Sequence, residues 1–232
     1  MTDTELRRLL TESLGDVFLQ RNGQILYSGI DTLRPGDFYF VGFNPAADGT
    51  NPRLCEVPLD RQHWSAYTQQ CWKHKHEESA VCSDAGRAPH QRRVQGIMAE
   101  LGLQAEETFA ANLIFVESRN TEKIKEEIRN GLFETCWQVH QKMLAVVRPK
   151  YIVCLGNGES DSAFSFVREK AADIKEEKLS KEKVGRYVAF KTFVGKFELD
   201  DGLDLAAKVI GVLHPSRWKC PHVLREWVLQ DN

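Results

Sequence analysis

Lys208-Val-Ile-Gly-Val-Leu-His-Pro-Ser-Arg-Trp218 changes character in its middle. Val209, Ile210, Val212 and Leu213 form a short apolar run that suits a strand buried on both faces. Pro215 brings no backbone donor and stops the ladder. His214 therefore stands where the strand ends, facing whatever lies above the sheet edge. Ser216, Arg217, Trp218 and Lys219 follow at once, a hydroxyl, two cations and an aromatic ring on one loop. A lone histidine in such a place is more often packed or solvated than catalytic. Its meaning depends on what the other strands deliver.

Two further runs end in the same way. Asp37-Phe-Tyr-Phe-Val-Gly-Phe-Asn-Pro45 is apolar and closes on Asn44 and a proline. Phe109-Ala-Ala-Asn-Leu-Ile-Phe-Val116 carries Asn112 among apolar neighbours, where asparagine is poor strand material. Three strands that each present one polar group describe a site above the carboxyl ends of a parallel sheet. Alternation of strand-like and helix-like segments predicts an α/β fold, a three-layer α/β/α arrangement around a central, mostly parallel four-stranded sheet. The expected organisation is a single domain over residues 1–232 with a long insertion at about 46–88.

Composition narrows the function. The chain has 232 residues, 42% hydrophobic and 28% charged, with a formal net charge of −2. That is enough apolar material for a substantial core. No global basic field announces nucleic acid, so any DNA contact must come from local patches. No apolar run reaches membrane-spanning length, and the acidic N-terminus does not read as a signal peptide. The expectation is a cytoplasmic or nucleoid protein, monomeric, without membrane contact. Of six cysteines, Cys136 and Cys154 fall in core-like segments. Cys71, His74, His76 and Cys82 include zinc-ligating residue types, but their spacing is not that of a zinc finger; the bland reading is a solvated loop. No metal site is predicted.

Thr2 to Glu5 has the pattern of a capping box, and Leu6, Leu9, Leu10 and Leu14 then mark one helix face, with Gly15 expected near its end. The 46–88 insertion holds Trp64, Tyr67, Trp72, cations at 73–76 and Arg87. Aromatics mixed with cations can stack on and neutralise nucleic acid, and a lid of short helices is an equally good and compatible reading. His90 to Leu101 reads as a helix with Val94, Ile97, Met98 and Leu101 on one stripe. His90, Arg92 and Arg93 at its start are unusual given the helix dipole; a phosphate could compensate them, or they form a solvated face. Residues 122–147 read as helical, with His140 on the buried face. Tyr151 to Leu155 is another buried strand; the following Gly156-Asn-Gly158 lacks the third glycine of a dinucleotide site. Residues 168–183 read as a charged helix end and linker, 187–197 as an added strand or hairpin, and 222–229 as a final helix.

These residues resemble the uracil-DNA glycosylase superfamily, most closely its single-strand-selective and mismatch-specific branches. Gly42-Phe-Asn-Pro45 is similar to the first motif of those branches, His214-Pro-Ser216 to the second, and Asn112 to the pocket asparagine. The likeness covers about residues 36–229 in the right order. It implies a monofunctional DNA glycosylase. Asn44 would hold the attacking water and His214, as neutral imidazole, would stabilise the departing base. Gly42, Phe43, Ala46, Leu59 and Asn112 would line the pocket for a flipped base, and Ser216, Arg217, Trp218 and Lys219 would engage DNA.

The departures matter as much. Where the family has Val-Pro-Phe, with the phenylalanine stacking on the base, this chain has Val57-Pro58-Leu59. Stacking then falls to Leu59, to Phe43 or to Trp64. The cysteine pattern of the iron–sulfur branches is absent, so no cluster and no other cofactor is expected. Arg217 replaces the usual proline after the serine. Uracil-specific members put a bulky residue directly after the first motif's proline, against the pyrimidine C5. Here Ala46 and Ala47 stand there. A small side chain leaves room, which points to 5-substituted or hypermodified pyrimidines and an anti-phage role, with ordinary uracil repair as the bland alternative. A catalytically silent nucleic-acid-binding module and a nucleoside or nucleotide N-glycosidase are the competing classes.

Overall fold

The computed structural model describes residues 1–46, 51–72, 85–118, 121–199, 202–219 and 222–229. In chain order they form α1 (Asp3–Leu19), β1 (Phe38–Gly42), α2 (Ala66–Gln69), α3 (Pro89–Glu100), β2 (Phe109–Asn112), α4 (Thr121–Glu127), α5 (Phe133–Val147), β3 (Tyr151–Leu155), α6 (Ala163–Glu169), β4 (Ala172–Leu179), β5 (Lys183–Val184), β6 (Tyr187–Val188), β7 (Phe190–Glu198), β8 (Asp204–Val212) and α7 (Leu224–Leu229). The main sheet runs β2-β1-β3-β8-β7-β4, and β5 and β6 pair as a separate hairpin. The first four strands are parallel; β7 and β4 add on antiparallel.

Side chains divide by the two-residue period of the strands. Tyr39, Val41, Ile152, Cys154 and Val209 face the layer of α1, α5 and α6. Phe40, Val153, Leu155, Ile210 and Val212 face that of α3 and α7. Burial on both faces is why these strands read as continuous apolar runs.

The sheet has six strands where four were expected. The difference comes mainly from the densely charged segment read as a helix end and linker. It forms β4, exposed along most of its length and, among the described residues, paired only with β7. An edge strand that carries charge is protected against pairing with another chain, so Lys175, Glu176, Glu177 and Lys178 suit the position. A second correction concerns Gly15. It takes φ 70° and kinks α1, which resumes and continues to Leu19. At the other end the capping box is formed: the Thr2 hydroxyl accepts the Glu5 N–H at 3.2 Å and the Thr2 N–H donates to the Glu5 carboxylate at 2.7 Å.

His140, on α5, lies wholly in the core and ties two site-bearing strands together. The Tyr39 hydroxyl on β1 donates to its Nδ1 at 2.7 Å, and its Nε2–H donates to the carbonyls of Asn112 and Leu113 at 2.9 and 3.2 Å. Burial pushes the ring's pKa down to about 4, against the pull of those carbonyls. The neutral tautomer is thereby specified on both nitrogens.

Candidate active site

Because β2, β1, β3 and β8 are parallel, their carboxyl ends share one edge of the sheet. Register places Gly42 beside Asn112 and Leu155 beside Val212. The chain beyond β1 stays fastened to the chain beyond β2: Leu113 N–H donates to the Gly42 carbonyl and Ile114 N–H to that of Phe43, both at 2.8 Å. Asn112 is 2% exposed. Its Nδ2 donates to the Gln24 carbonyl at 2.9 Å, which fixes the amide's orientation. A Cβ at position 42 would come within 3.2 Å of Asn112 Oδ1, so glycine makes room for that amide. Asn44 is half-buried, and its Nδ2 donates to the Pro45 carbonyl at 3.0 Å.

His214 follows β8 directly. Ser216 N–H donates to His214 Nδ1 at 3.2 Å, and the Ser216 hydroxyl lies 2.7 Å from the same nitrogen. A backbone N–H can only donate, so Nδ1 is the acceptor and the proton of the neutral ring sits on Nε2. Burial, helped by the charge of Arg217, holds the ring's pKa below the usual histidine range. The result is a neutral donor. Its loop is braced by Arg93, whose guanidinium donates to the Pro215 carbonyl at 2.7 Å. Gly156, at the end of β3, takes φ +133°, and a Cβ there would stand 3.5 Å from His214 Cδ2.

The structure adds His90 to this group. Its ring meets that of His214 edge to face at 5.5 Å between centroids. Behind it come Trp72 at 5.3 Å and Tyr67 at 6.5 Å, and Tyr27 stacks on Tyr67 at 5.3 Å. His90 Nε2 is buried and has no hydrogen-bond partner among the described residues. Burial, then the neighbouring His214 and Arg93, push its pKa down to about 3. The cationic helix start, read as either a phosphate site or a solvated face, is largely committed inside the protein: His90 is neutral, Arg93 grips Pro215, and Arg92 remains exposed. A carboxylate also comes close to the first motif. Asn51 Nδ2 bridges the Ala46 carbonyl and Glu117 Oε2 at 2.9 and 2.8 Å.

The expected stacking residues are placed differently. Phe43 stacks on Phe166 of α6, with centroids 5.7 Å apart, so that face of the ring is taken. Leu59 is buried and lines a cavity of about 120 Å³ together with Gln24, Val57 and Trp64. Gln24 joins this cavity to Asn112, while Asn44 and His214 are not in its wall. Ala46 is exposed and bridges to Ser118 through its backbone. Ser216, expected to touch DNA, is engaged with His214; Arg217 and Lys219 are exposed. Trp218 lies half-buried against the ring of Tyr187, with centroids 5.3 Å apart. Ala47, residues 73–76, Cys82, Arg119, Asn120 and Cys220 lie outside the described residues. Cys71 is disulfide-bonded.

Fold and edge together define an α/β protein with a neutral histidine and two asparagines above a parallel sheet. No protein-family model matches the chain, and no curated protein matches it. Among the described residues, no helix is long and apolar enough to cross a membrane, and no group of three or more potential metal ligands occurs.

Proposed function

We propose that the chain is a monofunctional DNA glycosylase that hydrolyses the N-glycosidic bond of uracil or a 5-substituted pyrimidine. The observation that carries the proposal is the state of His214: a neutral ring, its tautomer set by Ser216, presenting Nε2–H at the same sheet edge as Asn44 and Asn112. Cleavage of the bond leaves positive charge on the sugar and negative charge on the departing base. A fixed donor aimed at the base carbonyl stabilises that charge without reorganisation. Asn44 orients the water, whose oxygen ends on the sugar carbon. One water proton goes to the base and the other stays on the new hydroxyl. Asn112 can both donate and accept towards a pyrimidine edge. The ends of β2 and β8 are three strand spacings apart, roughly 14 Å, a gap that side chains and a flipped pyrimidine nucleotide can fill. The base must leave the stack to reach it.

The small side chain of Ala46 supports tolerance at C5, hence an antiviral role against hypermodified phage DNA beside one in repair. DNA is the partner in either case, in the cytoplasm or nucleoid, and the site calls for no metal or cofactor. The test is direct. Oligonucleotides carrying uracil, 5-hydroxymethyluracil or glucosylated 5-hydroxymethylcytosine are incubated with the protein, and abasic sites are then cleaved with alkali. Strand breaks at the modified position are expected. Their absence from every substrate would reject the proposal.

A further inference from the structure

Between β4 and β7 the chain leaves the main sheet and builds the β5–β6 hairpin, with Lys183 paired to Val188 and Val184 to Tyr187. Gly185 takes φ 62° in its turn, the left-handed conformation that a two-residue hairpin loop needs. The base of the hairpin is tied to the strand end that carries His214. Leu213 N–H donates to the Ala189 carbonyl at 3.3 Å, and Asn157 Nδ2 donates to the carbonyls of Val188 and Ala189 at 3.0 and 3.2 Å. The hairpin is thus held at the same sheet edge as His214.

Its surface does not resemble a solvated loop. Tyr187 is 41% exposed, an aromatic ring left at the surface beside Trp218. The Arg186 guanidinium lies 5.2 Å from the Tyr187 centroid and donates to its hydroxyl at 3.1 Å. Lys181, Lys183 and Arg186 are exposed with one carboxylate, Glu182, among them, and Arg217 and Lys219 are exposed on the neighbouring loop. Cations interleaved with a pair of rings suit a phosphate backbone with unstacked bases, because every base offers a π-face and every phosphate a charge.

We propose that the β5–β6 hairpin and Trp218 form a second nucleic-acid contact, a clamp that holds the strand running past His214. Tyr187 and Trp218 supply the stacking surface; Arg186, Lys181, Lys183, Arg217 and Lys219 neutralise phosphates. The choice of DNA as occupant rests on the glycosylase reading.

The experiment measures binding of fluorescein-labelled single-stranded and duplex DNA to the full chain by fluorescence anisotropy, over a range of salt. Arg186→Ala with Tyr187→Ala should weaken single-strand binding about tenfold, the scale of one lost base–aromatic stack. It should also lower the salt slope by about one phosphate contact. Tyr187→Phe keeps the ring and should bind like wild type. Arg186→Glu alone, which leaves both rings in place, should weaken binding further at low salt than at high salt. Arg8→Ala on α1 removes a cation elsewhere and should change nothing. Melting curves check folding. Wild-type affinity and salt slope in the double variant would overturn the clamp, as would a wild-type protein that binds no DNA. Alkali cleavage on the same samples reads the glycosylase proposal separately: hairpin-dependent binding without cleavage supports the clamp and rejects the enzyme.

Discussion

Acid should loosen this protein through His140, and the effect can be isolated by replacing that residue with glutamine. The folded chain keeps the ring neutral, with a pKa of about 4 against an ordinary value of 6.5. The unfolded chain takes up a proton as the pH falls below 6.5, and the folded one does so only near 4. Acid therefore favours unfolding: the stability is intact above the ordinary value and is lost between it and the depressed one. At about pH 5 the difference amounts to roughly 1.5 pH units of proton binding, or about 2 kcal/mol. Glutamine offers two N–H donors on one nitrogen and an amide oxygen acceptor, so it can still serve the carbonyls of Asn112 and Leu113 and the Tyr39 hydroxyl, but it does not titrate. Urea unfolding of both proteins at about pH 7 and about pH 5 gives the four stabilities needed. His90, also held neutral, changes both proteins alike and cancels in the comparison. The wild type should lose about 2 kcal/mol more than His140→Gln over that interval. Equal losses would show that His140 is not held neutral by the fold, and the account of how β2 is fixed would fail with it.

His214→Ala should slow single-turnover base release about 100-fold or more while DNA affinity stays within a few-fold; unchanged cleavage would remove His214 from the chemistry. Ala46→Tyr should suppress release of 5-substituted bases and spare any uracil activity. A wild-type enzyme that removes uracil efficiently and leaves 5-substituted bases intact would refute the open-pocket reading. His90→Phe removes a buried nitrogen without a hydrogen-bond partner among the described residues and should raise stability by about 1 kcal/mol. If that nitrogen serves the flipped base, the same change lowers cleavage. A lower melting temperature would show that the nitrogen is engaged in the free protein.

Much of the scaffold is legible in the chain. Phe38–Gly42, Tyr151–Leu155 and the second half of β8 are buried on both faces, and double burial requires uninterrupted apolar residues. Asn112 stands out because an amide in such a strand needs a partner, which Gln24 provides. His140 sits on the apolar stripe of α5 and is a core residue, as its spacing implies. The polar ends of β1, β2 and β8 lie at one edge because parallel strands all point one way.

Other features rest on partners that sequence order does not bring together. β4 is hidden in its own charge, since an edge strand keeps one side in water and carries no apolar signature. Phe43 faces Phe166, and Trp218 faces Tyr187, through contacts between segments far apart in the chain. His90 meets His214 where Arg93, on the same helix, holds the Pro215 carbonyl. Periodicity records which residues are buried against the sheet; it carries no information on which ring meets which. That pairing depends on how helices and loops pack in three dimensions, and the same packing buries His214 and brings the hairpin beside it.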